Sequence, residues 1–397
     1  MNTQNPRTTI LLLAIAQSLY SCAVITVFAT GPLVGLMLAR SQGYATWPVT
    51  SFVVGSMLAV WPASYLMKIY GRKPIFVGGA LSSIIGALIS VWAIFHNDFF
   101  LFCFGAALQG VLQATSSFYS FAAAEAAGPE DKSVAISWVL TGGVVAAIAG
   151  TLISSNTRDL LAPFTFAGTY VAVIGFALLS LIVFAFLQMA KPTAAEIQGP
   201  QRSWPELLRQ PILVIAMATA IFSYALMNLM MTAAPVAMKI CGFNVDDSIW
   251  VIQWHVLAMF VPSFFTGVLI KRYGVNLITS IGMGILITAG VSALLGISFA
   301  NFSVALILLG LGWNFGFIGG TTMLTTTYRP AERAKVQAVN NFGVSLMVAI
   351  ASASSGQMLS HFGWSSVALT VMPIAAVVLG IIIWLKTHES TATPHTL

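Results

Sequence analysis

One ionisable side chain lies deep inside a long apolar stretch of this sequence. His255 stands in the segment Gln253-Trp254-His255, and it is the only ionisable residue well inside any of the long apolar runs. Because an imidazole titrates near neutral pH, a histidine at membrane depth is suited to carry a proton. The alternative is a neutral histidine hydrogen-bonded to a neighbouring helix. Both interpretations stay open, with proton coupling as the functional hypothesis for His255.

Amide and aromatic side chains recur at helical spacing inside the apolar runs. Gln109, Gln113, Ser116 or Ser117, and Ser120 follow one another at the spacing of a single helix face. Large amides and aromatic rings suit a ligand cavity that takes a neutral or weakly charged solute. The alternative is that these groups hydrogen-bond between helices and only hold them together. The candidate binding residues are Gln17, Tyr20, Gln109, Gln113, Tyr224, Asn228, Trp313, Asn314, Phe317, Gln337 and Asn341.

The motifs of several protein classes are missing from the sequence. It contains no H-E-x-x-H segment, no Walker loop and no Cys/His cluster, and its three cysteines, Cys22, Cys103 and Cys241, have no metal-ligand spacing. We therefore expect neither enzyme activity nor a metal or other cofactor. No basic stripe interleaves with aromatic residues, so nucleic acid is not an expected partner.

The composition predicts a protein embedded in lipid. Of the 397 residues, 58% are hydrophobic and only 7% are charged, whereas soluble domains carry roughly 25% charged residues. Twelve apolar runs of about 20 residues or more can be placed along the chain. Since backbone polar groups cannot stay unpaired in lipid, each run must be a helix. We predict an all-α membrane protein with twelve transmembrane helices.

The basic residues predict how the chain is oriented in the membrane. If the N-terminus is cytoplasmic, 14 of the 17 lysines and arginines fall in cytoplasmic segments, and Arg40, Arg158 and Lys239 fall on the other side. By the positive-inside rule, both termini are expected in the cytoplasm. Prolines at Gly31-Pro32 and Pro235 are expected to bend the first and seventh helices.

A repeated loop sequence shows that the chain is duplicated. The stretch Ser64–Lys73 returns 203 residues later as Gly267–Gly274, with Leu, Lys, Tyr and Gly at equivalent places. A fixed offset of this length predicts two similar halves. The predicted domains are an N-terminal six-helix bundle at 1–188, a cytoplasmic linker at 189–210, a C-terminal six-helix bundle at 211–386 and a disordered cytoplasmic tail at 387–397.

This loop resembles the G-x-L-x-D-R-x-G-R loop of the Major Facilitator Superfamily, and the resemblance covers nearly the whole chain. It implies two pseudo-symmetric six-helix bundles that transport by alternating access around a central cavity. The sequence departs from the pattern where the family has an aspartate, a gating charge, because Lys68 and Lys271 stand there. The residues to which the resemblance gives gating roles are Lys68, Gly71, Arg72, Lys271, Arg272 and Gly274. Glu125, which closes the fourth span at the cytoplasmic face, is a further gating candidate, and the alternative there is a solvated loop with local charge pairing.

Two further family motifs are degraded. In the R-x-x-Q-G motif, Ala106 replaces the arginine, and Ala146-Ala147 replaces the Gly-Pro of the antiporter motif. Both losses argue against drug/proton antiport and favour import. The runs Trp254–Gly267 and Gly312–Thr322 look like those of poorly characterised proteobacterial facilitators. This likeness puts vitamins such as riboflavin, and siderophores, among the expected substrates.

The sequence thus leaves three hypotheses of function. The preferred one is a monomeric secondary transporter of the bacterial inner membrane that imports a small organic solute, with protons as candidate coupling ions. The second is efflux of drugs or metabolites. The third is a membrane sensor that has lost transport activity.

Overall fold

The computed structural model describes residues 5–40, 44, 47–189 and 199–391, and most of them are helical. Within these ranges, twelve helical segments are long and apolar enough to cross a membrane, which confirms the predicted number. The helices are α1 (Pro6–Leu38), α2 (Trp47–Tyr70), α3 (Arg72–His96), α4 (Phe99–Ser116), α5 (Tyr119–Ala126), α6 (Lys132–Thr157), α7 (Ala167–Phe186), α8 (Trp204–Leu208), α9 (Pro211–Ile240), α10 (Val245–Phe260), α11 (Ser263–Tyr273), α12 (Val275–Leu294), α13 (Phe299–Leu324), α14 (Arg333–Phe362) and α15 (Trp364–Thr391).

Two of the twelve spans are interrupted, and neither interruption is where the sequence predicted a bend. α1 and α9 run through Pro32 and Pro235 as continuous helices. The breaks lie at Ser117-Phe118, between α4 and α5, and at Val261-Pro262, between α10 and α11. Pro262 explains the second break, because proline has no N–H to continue the hydrogen-bond ladder.

Side-chain hydroxyls explain the first break. The hydroxyls of Thr115, Ser116 and Ser117 each donate to the carbonyl oxygen three residues earlier, at 3.0, 2.9 and 2.7 Å. Such bonds compete with backbone N–H groups for the same carbonyl acceptors, so they favour a bend in the helix or its termination. Three in succession therefore end α4 in the middle of the span.

The contacts between helices divide the chain into two compact units. The first comprises Met1–Ala127, Trp138–Pro200 and Pro330–Ser345, and the second comprises Gly128–Ser137, Gln201–Arg329 and Leu346–Leu397. Each unit therefore includes one short segment from the opposite half of the sequence. The predicted domains, which divide the chain at the linker 189–210, do not include this exchange of segments. The predicted linker holds the short helix α8, while 190–198 lie outside the described residues. The last helix continues to Thr391, past the predicted start of the tail, and 392–397 also lie outside.

The two units repeat the same helix packing. In the first unit, α4 packs on α2 and α3, and α7 packs on α1 and α3. In the second unit, α13 packs on α10 and α12, and α15 packs on α9 and α12. These helices are equivalent under the sequence repeat, so the two units are pseudo-symmetric bundles of six spans each.

Small residues let the fourth span of each bundle come close to its neighbours. A Cβ atom on Gly86 would lie 2.5 Å from the carbonyl oxygen of Gly105, and one on Gly312 would lie 3.0 Å from that of Gly282. These distances leave no room for a side chain. In a lipid environment, close backbone approach of this kind is a main source of helix association.

Many large apolar side chains point away from the bundles. Leu58, Leu88, Leu178 and Ile281 are among those between 42% and 65% exposed. On a water-facing protein, so many exposed apolar groups would promote aggregation, whereas in a bilayer they contact lipid tails. The protein is a multi-pass membrane protein.

Candidate substrate and gating sites

Four aromatic side chains of the second unit pack together, and we call them the aromatic cluster: Tyr224, Phe260, Trp313 and Phe317. The rings of Trp313 and Phe317 are stacked, with centroids 5.3 Å apart and planes at 8°. Tyr224 meets both rings edge-on at 5.5 and 5.4 Å, and Phe260 meets Trp313 edge-on at 5.7 Å. The cluster brings together three predicted binding residues, Tyr224, Trp313 and Phe317, on the helices α9 and α13.

The central indole of this cluster has an unused hydrogen-bond donor. Trp313 is only 1% exposed, and its Nε1 finds no acceptor within the part of the chain that the structure describes. A buried N–H without a partner costs free energy. Phe260, Tyr224 and Phe317 are all partly exposed around it. The partly exposed rings of Phe260, Tyr224 and Phe317 can therefore stack against a flat ring, and the buried Trp313 N–H becomes available to it when these rings move aside.

Asn314, the residue after Trp313, points to a different neighbour. Its Nδ2 donates to the carbonyl oxygen of Met259 at 2.7 Å and to Ser263 Oγ at 2.6 Å, and its Oδ1 accepts from Thr266 Oγ1 at 2.7 Å. All these partners flank the break between α10 and α11. Asn314 is fully buried, and its bonds satisfy groups that the break releases. This placement favours the interpretation that Asn314 holds helices together over the interpretation that it contacts the substrate.

Asn228 also uses its amide within the second unit. Its Nδ2 donates to Ser352 Oγ at 2.6 Å and more weakly to the carbonyl oxygen of Val348 at 3.4 Å. Both partners belong to α14. Asn228 therefore joins α9 to α14, which again favours the helix-holding alternative.

His255 lies between two helices of the second unit. It is fully buried, and its Nδ1 is 2.7 Å from the carbonyl oxygen of Leu306 on α13. Since a carbonyl only accepts, Nδ1 must carry the hydrogen and donate it. The other ring nitrogen, Nε2, has no partner among the described residues. His255 thus forms the interhelical hydrogen bond of the structural interpretation. Its Nε2 still has the lone pair that the proton-coupling interpretation requires.

The glutamines of the first unit are placed differently from one another. Gln109 is buried between α3 and α4, where its Nε2 donates to Ser90 Oγ at 3.0 Å. Together with Tyr20 it lines a seam that is too narrow to hold a water molecule. Gln17 donates to Ser21 Oγ on its own helix at 3.2 Å. The Gln113 side chain is partly exposed, and its Oε1 accepts no hydrogen bond from any described group.

At one end of the first unit, charged and polar residues form a network that we call the first polar cluster: Ser64, Arg72, Glu125, Arg333, Ala334 and Gln337. The guanidinium of Arg72 donates twice to the carboxylate of Glu125, from Nε at 3.1 Å and from Nη2 at 2.6 Å. Arg333 Nη1 lies 3.2 Å from the same carboxylate, and Ser64 Oγ donates to the carbonyl oxygen of Ala334 at 2.7 Å. Bidentate arginine–carboxylate pairs are strong and geometrically specific.

Gln337 and Asn341 belong to this end of the unit rather than to a separate binding surface. Gln337 Oε1 accepts from Arg72 at 2.9 Å, and its Nε2 donates to Glu125 at 3.2 Å. Asn341 Nδ2 donates to Ser117 Oγ at 2.8 Å, beside the break after α4. The sequence predicted substrate contacts for both residues, and the structure places them in contacts with α3, α5 and the α4 break. The reason is that the segment 330–345 packs within the first unit.

The equivalent loop of the second unit has a lighter network, the second polar cluster: Asp131, Ser133, Ser137, Gly267 and Lys271. Ser133 Oγ donates to the carbonyl oxygen of Gly267 at 3.0 Å, and the Gly267 N–H donates to Ser137 Oγ at 2.9 Å. Lys271 and Asp131 pair at 2.7 Å, with side chains 47% and 59% exposed. The other predicted gating cation, Arg272, lies over the ring of its neighbour Tyr273 at 5.2 Å.

The two predicted loop glycines have the same backbone conformation. Gly71 and Gly274 both have φ of 87°, and each precedes the first residue of a helix. Side chains rarely tolerate this region, so glycine is required for the tight connection between consecutive spans. The duplicated sequence therefore corresponds to a duplicated turn.

The prediction omitted several residues that these sites use, and three of them are instructive: Arg333, Phe260 and Thr266. Arg333 was detectable, because the segment Pro330-Ala331-Glu332-Arg333 repeats Pro129-Glu130-Asp131-Lys132. Phe260 and Thr266 gave no signal of their own, since an aromatic residue and a threonine are ordinary in an apolar span. Only their contacts with Trp313 and Asn314 distinguish them.

The fold and these sites define a class of protein. Two equivalent bundles of six spans, each with a polar cluster at the equivalent loop and one with an aromatic cluster, are the architecture of a membrane transporter. The sequence profile of the Major Facilitator Superfamily matches residues 13–295 and 216–396. The chain belongs to this superfamily, whose members bind small-molecule substrates within the membrane and are transporters rather than enzymes.

Individual relatives agree with this assignment. Riboflavin transporter RfnT of Brucella anthropi is 41% identical over 377 residues, which cover 94% of each chain. Uncharacterized MFS-type transporter YddS of Bacillus subtilis is 26% identical over 376 residues, covering 89% of this chain and 86% of the relative. Among solved structures, the proton:xylose symporter XylE superposes with a TM-score of 0.77 at 12% identity and covers 96% of both chains, which shows the shared fold alone.

Proposed function

We propose that the protein imports a small, neutral or weakly charged organic solute with a flat ring system, such as riboflavin, across the bacterial inner membrane. The aromatic cluster carries this proposal. Its stacked pair Trp313 and Phe317 and the edge of Tyr224 suit a planar heteroaromatic ring, and the unused Trp313 N–H suits a ring acceptor. The relative named as a riboflavin transporter supports the same substrate class.

The remaining candidate binding residues differ in how directly this proposal lets them contact the solute. Gln113, with its unpaired oxygen, is the residue of the first unit best suited to contact the solute. Tyr20 stays a candidate that needs the narrow seam beside Gln109 to open. Gln17 and Gln109 bond neighbouring groups and support these contacts indirectly. We assign no substrate contact to Asn228, Asn314, Gln337 or Asn341, since their amides already hold helices together.

The transport cycle alternates access between the two membrane sides. We assign gating to the first and second polar clusters and place both on the cytoplasmic side, with both termini, on the basis of the positive-inside rule. The protein acts as a monomer. His255 is the candidate proton carrier, because Nε2 has a free lone pair while Nδ1 is held by Leu306.

Flux measurements in proteoliposomes test the function. Purified protein should accumulate labelled riboflavin, and an inward proton gradient should increase the initial rate, whereas empty liposomes and Trp313→Ala protein should not accumulate it. Unlabelled riboflavin should compete, and a sugar such as xylose should not. Net movement only out of right-side-out vesicles would indicate efflux instead. Absence of flux with riboflavin and other flat vitamins would refute the proposed substrate class.

A variant separates coupling from transport. His255→Ala should abolish the stimulation by a proton gradient and leave exchange of labelled for unlabelled solute in place, because exchange needs no net proton movement. Unchanged stimulation in this variant would remove His255 from the coupling role and leave the structural alternative.

A further inference from the structure

The helix break of the second unit lies directly beside the aromatic cluster. Phe260 is the last residue of α10, and Val261-Pro262 separates it from α11. Its ring packs edge-on against Trp313, with centroids 5.7 Å apart. Phe260 therefore belongs to the aromatic cluster and adjoins the break at the same time.

A second contact between the same spans lies one residue away. Asn314 follows Trp313 on α13, and its Nδ2 donates to the carbonyl oxygen of Met259 at 2.7 Å and to Ser263 Oγ at 2.6 Å. Met259 belongs to α10 and Ser263 to α11. Asn314 therefore holds both sides of the break from a position next to the central indole of the cluster.

The two sides of the break are attached differently to α13. α10 packs on α13 more extensively than α11 does. A Cβ atom on Gly310 would lie 2.6 Å from the carbonyl oxygen of His255, and His255 Nδ1 donates to the carbonyl oxygen of Leu306. Close backbone approach and a buried hydrogen bond fix α10 against α13. A rearrangement at the break therefore moves α11 rather than α10.

The far part of α11 contributes to the second polar cluster. The carbonyl oxygen of Gly267 accepts from Ser133 Oγ at 3.0 Å, and Lys271 pairs with Asp131 at 2.7 Å. Ser133 and Asp131 belong to the segment Gly128–Ser137, which comes from the first half of the sequence. Because hydrogen bonds depend steeply on geometry, a shift of α11 loosens these contacts.

We propose that the break at Val261-Pro262 is a joint that transmits solute occupancy from the aromatic cluster to the second polar cluster, with Asn314 as its positioning residue. This role rests on the proposed function, since the solute is the group that stacks among the rings. A flat solute that enters the cluster displaces Phe260, which changes the bonds of Asn314 across the break and shifts α11. Hinges of this kind absorb a local rearrangement in a few residues and move the adjoining segment as a body.

Cross-linking across the second polar cluster tests the joint. Asp131→Cys and Lys271→Cys are introduced together into the full-length protein after its free cysteines, Cys22, Cys103 and Cys241, have been replaced by alanine. The rate of cross-linking by a short bifunctional maleimide is then measured in detergent. Riboflavin should lower this rate, and its binding is followed by fluorescence on the same preparation. Bound riboflavin with an unchanged rate would overturn the joint.

Proline variants provide the matched comparison. Pro262→Ala supplies an N–H that can continue the helix ladder, so α10 and α11 should become one rod and the rate should no longer respond to riboflavin. Pro373→Ala removes a proline from the continuous helix α15 of the same unit, and it should respond like the parent protein. Asn314→Leu should lose the response while it still binds riboflavin. Equal responses of the two proline variants would contradict the joint.

A comparison without solute separates the joint from the substrate class. Phe260→Ala removes the ring that links Trp313 to the break, so it should lower the cross-linking rate with no riboflavin present. Phe222→Ala, which removes a ring of α9 packed on the core of the same unit, should leave the rate unchanged. If riboflavin does not bind but Phe260→Ala alone lowers the rate, the substrate class is wrong and the joint stands. If the two variants give the same rate, the joint is wrong whatever the solute.

Discussion

The two units stabilise equivalent loops by interactions of different strength. In the first unit, a nearly buried Arg72, with its side chain 8% exposed, holds Glu125 by two hydrogen bonds and also bonds Gln337. In the second, the residues equivalent to Arg72 and Glu125 are Val275 and Thr326, and the only ion pair described there is the exposed Lys271–Asp131. The two loops share only two features. One is the turn at Gly71 or Gly274, and the other is a hydroxyl–carbonyl hydrogen bond, from Ser64 to Ala334 in the first unit and from Ser133 to Gly267 in the second.

The difference shows how a duplicated scaffold divides its tasks. The first unit concentrates charge at the loop end, where opening and closing would break or form ion pairs. The second unit places its distinctive groups in the middle of the spans, where Asn314 secures a broken helix and four aromatic rings pack together. In the proposed function, the stronger gating contacts therefore belong to the first unit and the aromatic recognition groups to the second, so mutations can separate the two roles.

The largest effect is expected from removing Arg72. Arg72→Ala leaves the Glu125 carboxylate with only Arg333 and Gln337 among its described partners, and it removes two further hydrogen bonds, to Gln337 and to the carbonyl oxygen of Phe118. Breaking a buried pair costs about 3 kcal/mol or more, and the 25% exposure of Glu125 places this case at the lower end. We expect a clear fall in apparent melting temperature in detergent and a strong loss of uptake.

A double-mutant cycle checks the cause. If the two side chains act as a pair, Arg72→Ala combined with Glu125→Gln should lower the melting temperature by less than the two single changes together. Additive losses would show that Arg72 acts through other contacts, and the contrast between the units would lose its basis.

The second effect comes from Asn314. Asn314→Leu is similar in size but leaves the Met259 carbonyl and the Ser263 hydroxyl without their partner at the α10–α11 break, while Thr266 Oγ1 still donates to the carbonyl oxygen of Pro262. Unpaired buried groups cost about 1–3 kcal/mol each before relaxation. We expect a loss of stability, with substrate affinity falling only as far as Phe260 shifts against Trp313. Asn314→Asp keeps the Oδ1 acceptor but replaces the donating Nδ2 by an oxygen that faces the Met259 carbonyl, so it should not restore the stability.

A stable Asn314→Leu protein with a selective loss of riboflavin affinity would contradict this assignment. It would show that Asn314 contacts the solute, as the sequence predicted. Melting temperature and binding affinity measured on the same preparation distinguish the two outcomes.

The fold was predictable from the sequence because lipid imposes simple rules. Apolar length, the positive charges of the loops and the repeat around Ser64–Lys73 were enough to predict twelve spans in two equivalent bundles. Arg72 and Glu125 were both named as gating candidates, and the structure pairs them, while their gating roles stay a prediction. These features depend on local sequence or on a motif.

The roles of the amides were not predictable in the same way. Gln113, Asn228 and Asn314 are alike as polar residues in apolar spans, yet Asn228 and Asn314 donate their amide hydrogens to neighbouring helices, whereas the buried Oε1 of Gln113 has no described partner. What distinguishes them is the group opposite on another helix, and helical spacing contains no information about that neighbour. The break at Val261-Pro262, which gives Asn314 its partners, was likewise hidden because proline is tolerated in many membrane helices.

The third effect concerns recognition without stability. Trp313→Phe keeps an aromatic ring next to Phe317 and Tyr224 but removes the indole N–H, which has no partner among the described residues. Losing one hydrogen bond to a ligand costs about 1 kcal/mol, or roughly five-fold in affinity. We expect weaker riboflavin binding with little change in melting temperature. Phe317→Leu, which removes a ring and no donor, is the control for stacking alone.

The smallest effect should come from the second polar cluster. Lys271→Ala removes an ion pair whose two side chains are about half exposed, and exposed pairs contribute little because water and salt screen them. The change in melting temperature should be a small fraction of that for Arg72→Ala, and raising the salt concentration should remove it. The hydroxyl bonds of Ser133 and Ser137 to Gly267 remain in this variant, so the loop stays attached. If Lys271→Ala instead matched Arg72→Ala in both stability and uptake, the two loops would be equally important for gating, and the division of tasks between the units would be wrong.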